Sequence, residues 1–238
     1  MNIITINNVS KCYKDKIALN DITLQIKEGE LFGLLGVNGA GKTTLIKILC
    51  GLTKKTSGNI TINELDIDRD IEKIKEIVDI SPQETSIASN LTVKENLEFF
   101  ANIYGKNNLP LINEIVQTFN LQEVLGQRAK TLSGGYKRRL SIAIALISNP
   151  RILFLDEPTL GLDIFARKEL WNIIHKLKKH ITIILTSHYL EEIENLCDRV
   201  AILSKGNLLE VDTIEAIKNK TNSETFEDAF IKVVESAK

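Results

Sequence analysis

Cysteine is scarce and scattered: Cys12, Cys50 and Cys197 stand far apart and form no Cys-x-x-Cys pair. That spacing offers neither a disulfide framework nor a cysteine-built zinc site, and it points to a reducing compartment. Excess charge of one sign is also missing, since 30 Lys+Arg meet 31 Asp+Glu for a net charge of -1. A chain held on nucleic acid through phosphates would be far more basic, so no nucleic-acid partner is expected. The longest clear apolar run, Ile142 to Ile147, falls well short of the roughly 20 residues a membrane span needs. The first eight residues lack the basic start and apolar core of a signal peptide. A cytoplasmic protein is expected, and any place at a membrane would depend on another subunit.

Repeats, low-complexity stretches and Pro/Gly-rich linkers are absent too. At about 150 residues per domain, 238 residues suggest one large unit or a core with a smaller subdomain. Strand-like runs come first: Ile3 to Val9, Ile22 to Ile26, Leu31 to Leu35 and Asn59 to Ile62. Several alternate apolar with polar residues, as a half-buried antiparallel sheet does. From Val93 to Phe119 the period turns helical, punctuated by Gly105 and Pro110. Helices are expected at 134–146, 165–177 and 189–196, alternating with compact apolar strands at 152–155, 181–185 and 200–203. That alternation predicts a parallel α/β sheet. The boundary between strand-like and helical sequence falls at 82–89.

Gly36-Val37-Asn38-Gly39-Ala40-Gly41-Lys42-Thr43 fits Gly-x-x-x-x-Gly-Lys-[Ser/Thr], with a strand before it and a helix from Thr44 after it. Glycines let successive N–H groups turn inward onto phosphate oxygens, and the following helix adds the positive end of its dipole. Lys42 is placed to reach the terminal phosphates, and the Thr43 hydroxyl to ligate Mg²⁺. Further on, Leu155-Asp156-Glu157-Pro158 sets two acids at the end of a buried strand, where open α/β sheets bind ligands. Asp156 suits Mg²⁺, and Glu157 is then free to orient and deprotonate a water.

Between these motifs lies Leu132-Ser133-Gly134-Gly135, followed by a helix carrying Lys137, Arg138 and Arg139. In this order the set resembles the nucleotide-binding domain of ABC transporters, whose signature is Leu-Ser-Gly-Gly-Gln. Tyr136 stands where that family usually has Gln. The resemblance covers nearly the whole chain. It implies an α/β fold: a P-loop NTPase (RecA-like) core, an N-terminal antiparallel β-subdomain, and an α-helical subdomain inserted at about 84–147. It also implies that Tyr13 stacks on adenine and that Gln83 senses Mg²⁺ and the terminal phosphate. His188 would contact that phosphate, and Asp163 would belong to a loop crossing to a second subunit. His175 and His180 have no such place and are expected in solvent, and Trp171 in the core.

Family resemblance further implies ATP and Mg²⁺ as cofactors and head-to-tail pairing of two nucleotide-binding subunits, alike or related. Each ATP then lies between one P-loop and the other subunit's Leu132 to Gly135. The segments Leu91 to Ala101 and Thr225 to Phe230 resemble single-domain export subunits for drugs, antibiotics, lipids or ions, which serve a separate membrane-spanning chain. A soluble ATPase acting on ribosomes or DNA, or an ATP-sensing regulator, are the alternatives. Near-neutral charge and the lack of a second domain weigh against the first. An intact Glu157 and His188 weigh against the second.

Overall fold

The computed structural model describes residues 1–106 and 108–236. Apolar-polar alternation in the first quarter of the chain builds a four-stranded antiparallel sheet. Strands β1 (Asn2–Tyr13), β2 (Lys16–Lys27), β4 (Ser57–Ile62) and β5 (Leu65–Asp66) run in the order β2-β1-β4-β5. Ile22, Leu24 and Ile26 point inward from β2, while Thr23 and Gln25 face out. Both hairpin strands run longer than the alternation predicts. The pairs Cys12↔Ile17 and Tyr13↔Lys16 are ladder residues exposed on both strands, so no inward-outward alternation marks them in the sequence.

The second sheet has six strands: β3 (Leu31–Leu35), β6 (Val78–Ser81), β7 (Ile152–Asp156), β8 (Thr182–Ser187), β9 (Arg199–Ser204) and β10 (Asn207–Asp212). Their order is β10-β9-β3-β8-β7-β6, and only β10 runs antiparallel to its neighbour. The expected apolar strands fall in β7, β8 and β9. The short β6 and the half-exposed β10 carry too little apolar pattern to be read.

Helix α1 (Lys42–Leu49) follows β3, and the short α2 (Ile71–Lys75) precedes β6. Between β6 and β7 the chain runs through α3 (Val93–Ile103), α4 (Leu109–Thr118) and α5 (Gly134–Leu146). The helical run expected over 93–119 is thus two helices: Gly105 turns at φ 63° after α3, and Pro110 sits in the first turn of α4. Then come α6 (Ile164–Leu177), α7 (Leu190–Leu196), α8 (Ile214–Thr221) and α9 (Phe226–Glu235). Trp171 is buried and both His175 and His180 are exposed.

Strand residues divide their side chains between two cores. Leu31, Leu35, Leu153 and Leu155 face the helices. Phe32, Leu34, Ile152 and Phe154 face α1 and the antiparallel sheet. A parallel sheet covered on both faces therefore holds the ends of β3, β7 and β8 rigidly beside one another. No helix among the described residues is long and apolar enough to cross a membrane.

Candidate functional site

The loop from β3 to α1 is shaped by what surrounds it. A side chain on Gly36 would place its Cβ 2.4 Å from the Leu203 carbonyl oxygen. Gly41 turns at φ 109°, and a Cβ there would meet the Ala18 carbonyl oxygen at 2.7 Å. Two backbone bonds pin the loop from outside: Gly206 N–H donates to Ala40 O (3.0 Å), and Asn20 N–H to Gly206 O (2.8 Å). Thus held, the loop borders a cavity of about 610 Å³. Asn38 through Thr44 line it, together with Tyr13, Gln83, Glu157 and His188.

Lys42 is buried, and its ammonium donates to Gly36 O at 2.6 Å and lies 3.8 Å from Glu157 Oε1. Burial holds its pKa below the usual lysine value, while Glu157 and Asp156 pull it back up. Asp156 Oδ1 accepts from Thr186 Oγ1 at 2.6 Å and faces Thr43 Oγ1 at 3.4 Å. Thr186 also accepts the Glu157 N–H at 2.9 Å. This one hydroxyl on β8 therefore fixes both acids at the end of β7. Glu157 itself sits at φ 46°, a conformation uncommon for a residue with a side chain. His188 Nδ1 approaches Glu157 Oε2 to 3.0 Å without hydrogen-bond alignment, and its ring packs on Tyr189.

Arranged this way, the loop, Lys42 and the start of α1 can hold a polyphosphate. Thr43 and Asp156 converge as a pair of oxygen donors. Among the described residues no cluster of three or more His, Cys, Asp or Glu could hold a metal unaided. The Thr43–Asp156 pair of oxygen donors suits Mg²⁺, which is usually held by one or two carboxylates together with waters and substrate phosphates. Glu157 can accept a proton from a water above the phosphates.

Other expected residues lie elsewhere. None of Leu132, Ser133, Gly134 and Gly135 lines the cavity. Ser133 and Gly134 are exposed at the start of α5, where the Ser133 hydroxyl accepts from Tyr136 N–H at 3.4 Å. Leu132 is buried and packs in the helical core. Asp163 caps α6, accepting from the N–H groups of Phe165 and Ala166 at 2.9 Å each. Gly36 and Val37 shape the loop without lining the cavity. Tyr136 places its ring under the Arg139 guanidinium, 4.1 Å from the centroid, and Arg139 is held by Glu169.

Two participants escaped the sequence. Lys16 lines the cavity beside Tyr13, and only the hairpin pairing of those two residues brings it there. Thr186 belongs to a strand whose apolar pattern hides its one functional hydroxyl.

The family model for "ABC transporter" matches residues 19–160. The chain belongs to the ABC transporter family. Rat "Phospholipid-transporting ATPase ABCA3" is 41% identical over 212 residues, a match covering 86% of this chain but 12% of that protein. "Linearmycin resistance ATP-binding protein LnrL" of Bacillus subtilis (strain 168) is 37% identical over 222 residues, covering 92% of this chain and 71% of the relative. Among solved structures, an "ATP binding subunit of ABC transporter" superposes with a TM-score of 0.86 at 27% identity, covering 98% of this chain and 99% of that one. A dimeric ATP-binding cassette in a post-hydrolysis state with ADP and Pi gives 0.78 at 25% identity, covering 88% and 98%. The P-loop NTPase fold expected above is the observed one. The chain is an ATP-binding ATPase domain of the ABC transporter family, and the cavity at the end of β3 carries its P-loop.

Proposed function

We propose that this ABC domain hydrolyses ATP at a head-to-tail dimer interface to power export through a separate membrane-spanning subunit. One observation carries the reading: Lys42, Thr43, Glu157 and His188 line one cavity, with Asp156 behind Thr43 at 3.4 Å, while Ser133 and Gly134 stand exposed outside it. A second nucleotide-binding subunit, a copy or a relative, supplies Ser133, Gly134 and Gly135 to the phosphate from across the interface. Leu132 anchors that turn from the core instead of touching nucleotide.

Residues Gly36 to Thr44 hold the phosphates, and Tyr13 stacks on adenine. Thr43 and Asp156, with Gln83 lining the same cavity, would hold Mg²⁺, which would supply neutralisation of phosphate charge. Glu157 takes the proton of the attacking water, and His188 orients Glu157 and the terminal phosphate. Asp163 reaches toward the partner subunit. Loss of the terminal phosphate loosens the pair, which turns chemistry into motion. The domain would sit on the cytoplasmic face of the membrane through its membrane-spanning partner. The names of the relatives, one phospholipid-transporting and one conferring antibiotic resistance, support the export direction.

The test is Glu157→Gln. It should keep ATP affinity, lower turnover by roughly 10²–10⁴, the usual worth of a general base, and trap a dimer in Mg-ATP. A variant that stays monomeric on gel filtration and hydrolyses at the native rate would overturn the reading.

A further inference from the structure

Arg138 is buried on α5, little more than a turn beyond Ser133. Buried arginines normally pair with carboxylates, yet this guanidinium spends its donors on main-chain carbonyls. Nε donates to Pro158 O at 2.9 Å and Nη2 to Asp156 O at 2.8 Å. Nη1 donates to Pro82 O and, at 3.4 Å, to Gln83 O. One rigid fork thus ties the helix that begins at Ser133 to both flanks of Glu157 and to the backbone of Gln83. Deep burial lowers its pKa to about 10 against the pull of Asp156 and Glu192, so it stays charged at neutral pH. A second tether, Ser81 Oγ to Ser141 Oγ at 3.1 Å, joins α5 to the strand leading into Gln83.

We infer that Arg138 is a positioning residue that transmits the position of α5 to the Gln83 loop and to the Asp156–Glu157 acid pair. The inference rests on the dimer reading, in which Ser133 serves one ATP while Gln83 and Glu157 serve the other. Arg138 then links the two ATP sites of a pair through a single side chain. Its planar, fivefold donor geometry is the reason lysine cannot replace it: an ammonium lacks the fork that reaches four carbonyl groups on two separate segments.

The experiment compares the full-length wild type with Arg138→Lys. Steady-state ATP hydrolysis, ATP affinity and hydrogen exchange of peptides covering 82–89 and 156–163 are measured together. The expected result is a 10- to 100-fold fall in kcat, ATP affinity within about twofold of wild type, and a Hill coefficient for ATP that drops toward 1. Exchange should quicken in both peptides and not in the strands β1 and β2. Wild-type turnover in Arg138→Lys, or a parallel loss of affinity and kcat, overturns the inference. A wild type that neither binds nor hydrolyses ATP overturns the function reading instead. Exchange still decides the linkage, since unchanged protection in both peptides of the variant overturns it. Should the variant not fold, wild type alone decides. Titrating Mg with a non-hydrolysable ATP analogue must change exchange in the two peptides at one shared midpoint, and separate midpoints overturn the inference.

Discussion

At the scale of single residues, the site depends on groups whose environments are set by burial. Lys42 has little water around it, so its charge is aimed at whatever enters the cavity. Lys42→Ala should abolish measurable ATP binding in an equilibrium titration while leaving the melting temperature of the free chain close to native. Glu192, buried on α7, shows the opposite sign of the same physics. Burial raises its pKa above the ordinary 4.5, so the native chain keeps a proton that the unfolded chain releases. Stability present below that window is lost as pH rises through it. Urea unfolding at pH 5 and pH 8 should therefore show wild type losing stability relative to Glu192→Gln on going to the higher pH. The residues legible in the sequence were those in fixed spacing, such as Gly36 to Thr43 and the Asp156–Glu157 pair. Thr186, Arg138 and Lys16 were not, because their roles come from neighbours distant along the chain.

Among elements, α5 and α6, which flank the proposed dimer face, are held by caps of unequal quality. Asp163 accepts two N–H groups at 2.9 Å, so Asp163→Ala should cost about 1–2 kcal/mol in chemical unfolding. Ser133 makes one long contact of 3.4 Å. Ser133→Ala should therefore cost less than about 0.5 kcal/mol of stability yet depress ATP hydrolysis, with ATP affinity of the monomer unchanged. A loss of stability matching that of Asp163→Ala would mean that Ser133 serves the fold and not the phosphate. Strong periodicity made β7, β8 and α6 readable. The antiparallel β10 and the helix α8 were not singled out, since partial exposure blurs their pattern, whereas α9 enters the sequence reading only through the resemblance of Thr225 to Phe230, although its Phe226, Ala229, Phe230 and Val233 keep helical spacing. By contrast, Gly105 and Pro110 already punctuate the helical pattern of Val93 to Phe119 in the sequence, and the break after α3 comes at Gly105.

Across the whole molecule, scattered exposed apolar side chains are ordinary, but two adjacent ones beside Asp163 fit a contact with the proposed second subunit. Phe165 is 86% exposed and Ile164 65%, both directly after Asp163. If this rim meets the second subunit, Phe165→Asp placed in the Glu157→Gln chain should weaken the ATP-trapped dimer, visible as a shift to monomer on gel filtration. An interfacial aromatic that acts as a hot spot is worth about 2 kcal/mol or more. A dimer that persists undiminished would remove Phe165 from the interface.

One feature of the cradle reaches back to the chain's synthesis. The P-loop emerges early, but its outer brace is the turn at Gly206, bonded to Ala40 and Asn20. At 5–20 residues per second, translation separates the two by on the order of ten seconds. Until Gly206 has left the ribosome, the loop rests on the Ala18 side alone and lacks its outer brace, so a nascent chain should capture nucleotide poorly. Arrested ribosome complexes, assayed for capture of a fluorescent ATP analogue before and after residue 206 is exposed, would reveal binding switching on late and abruptly.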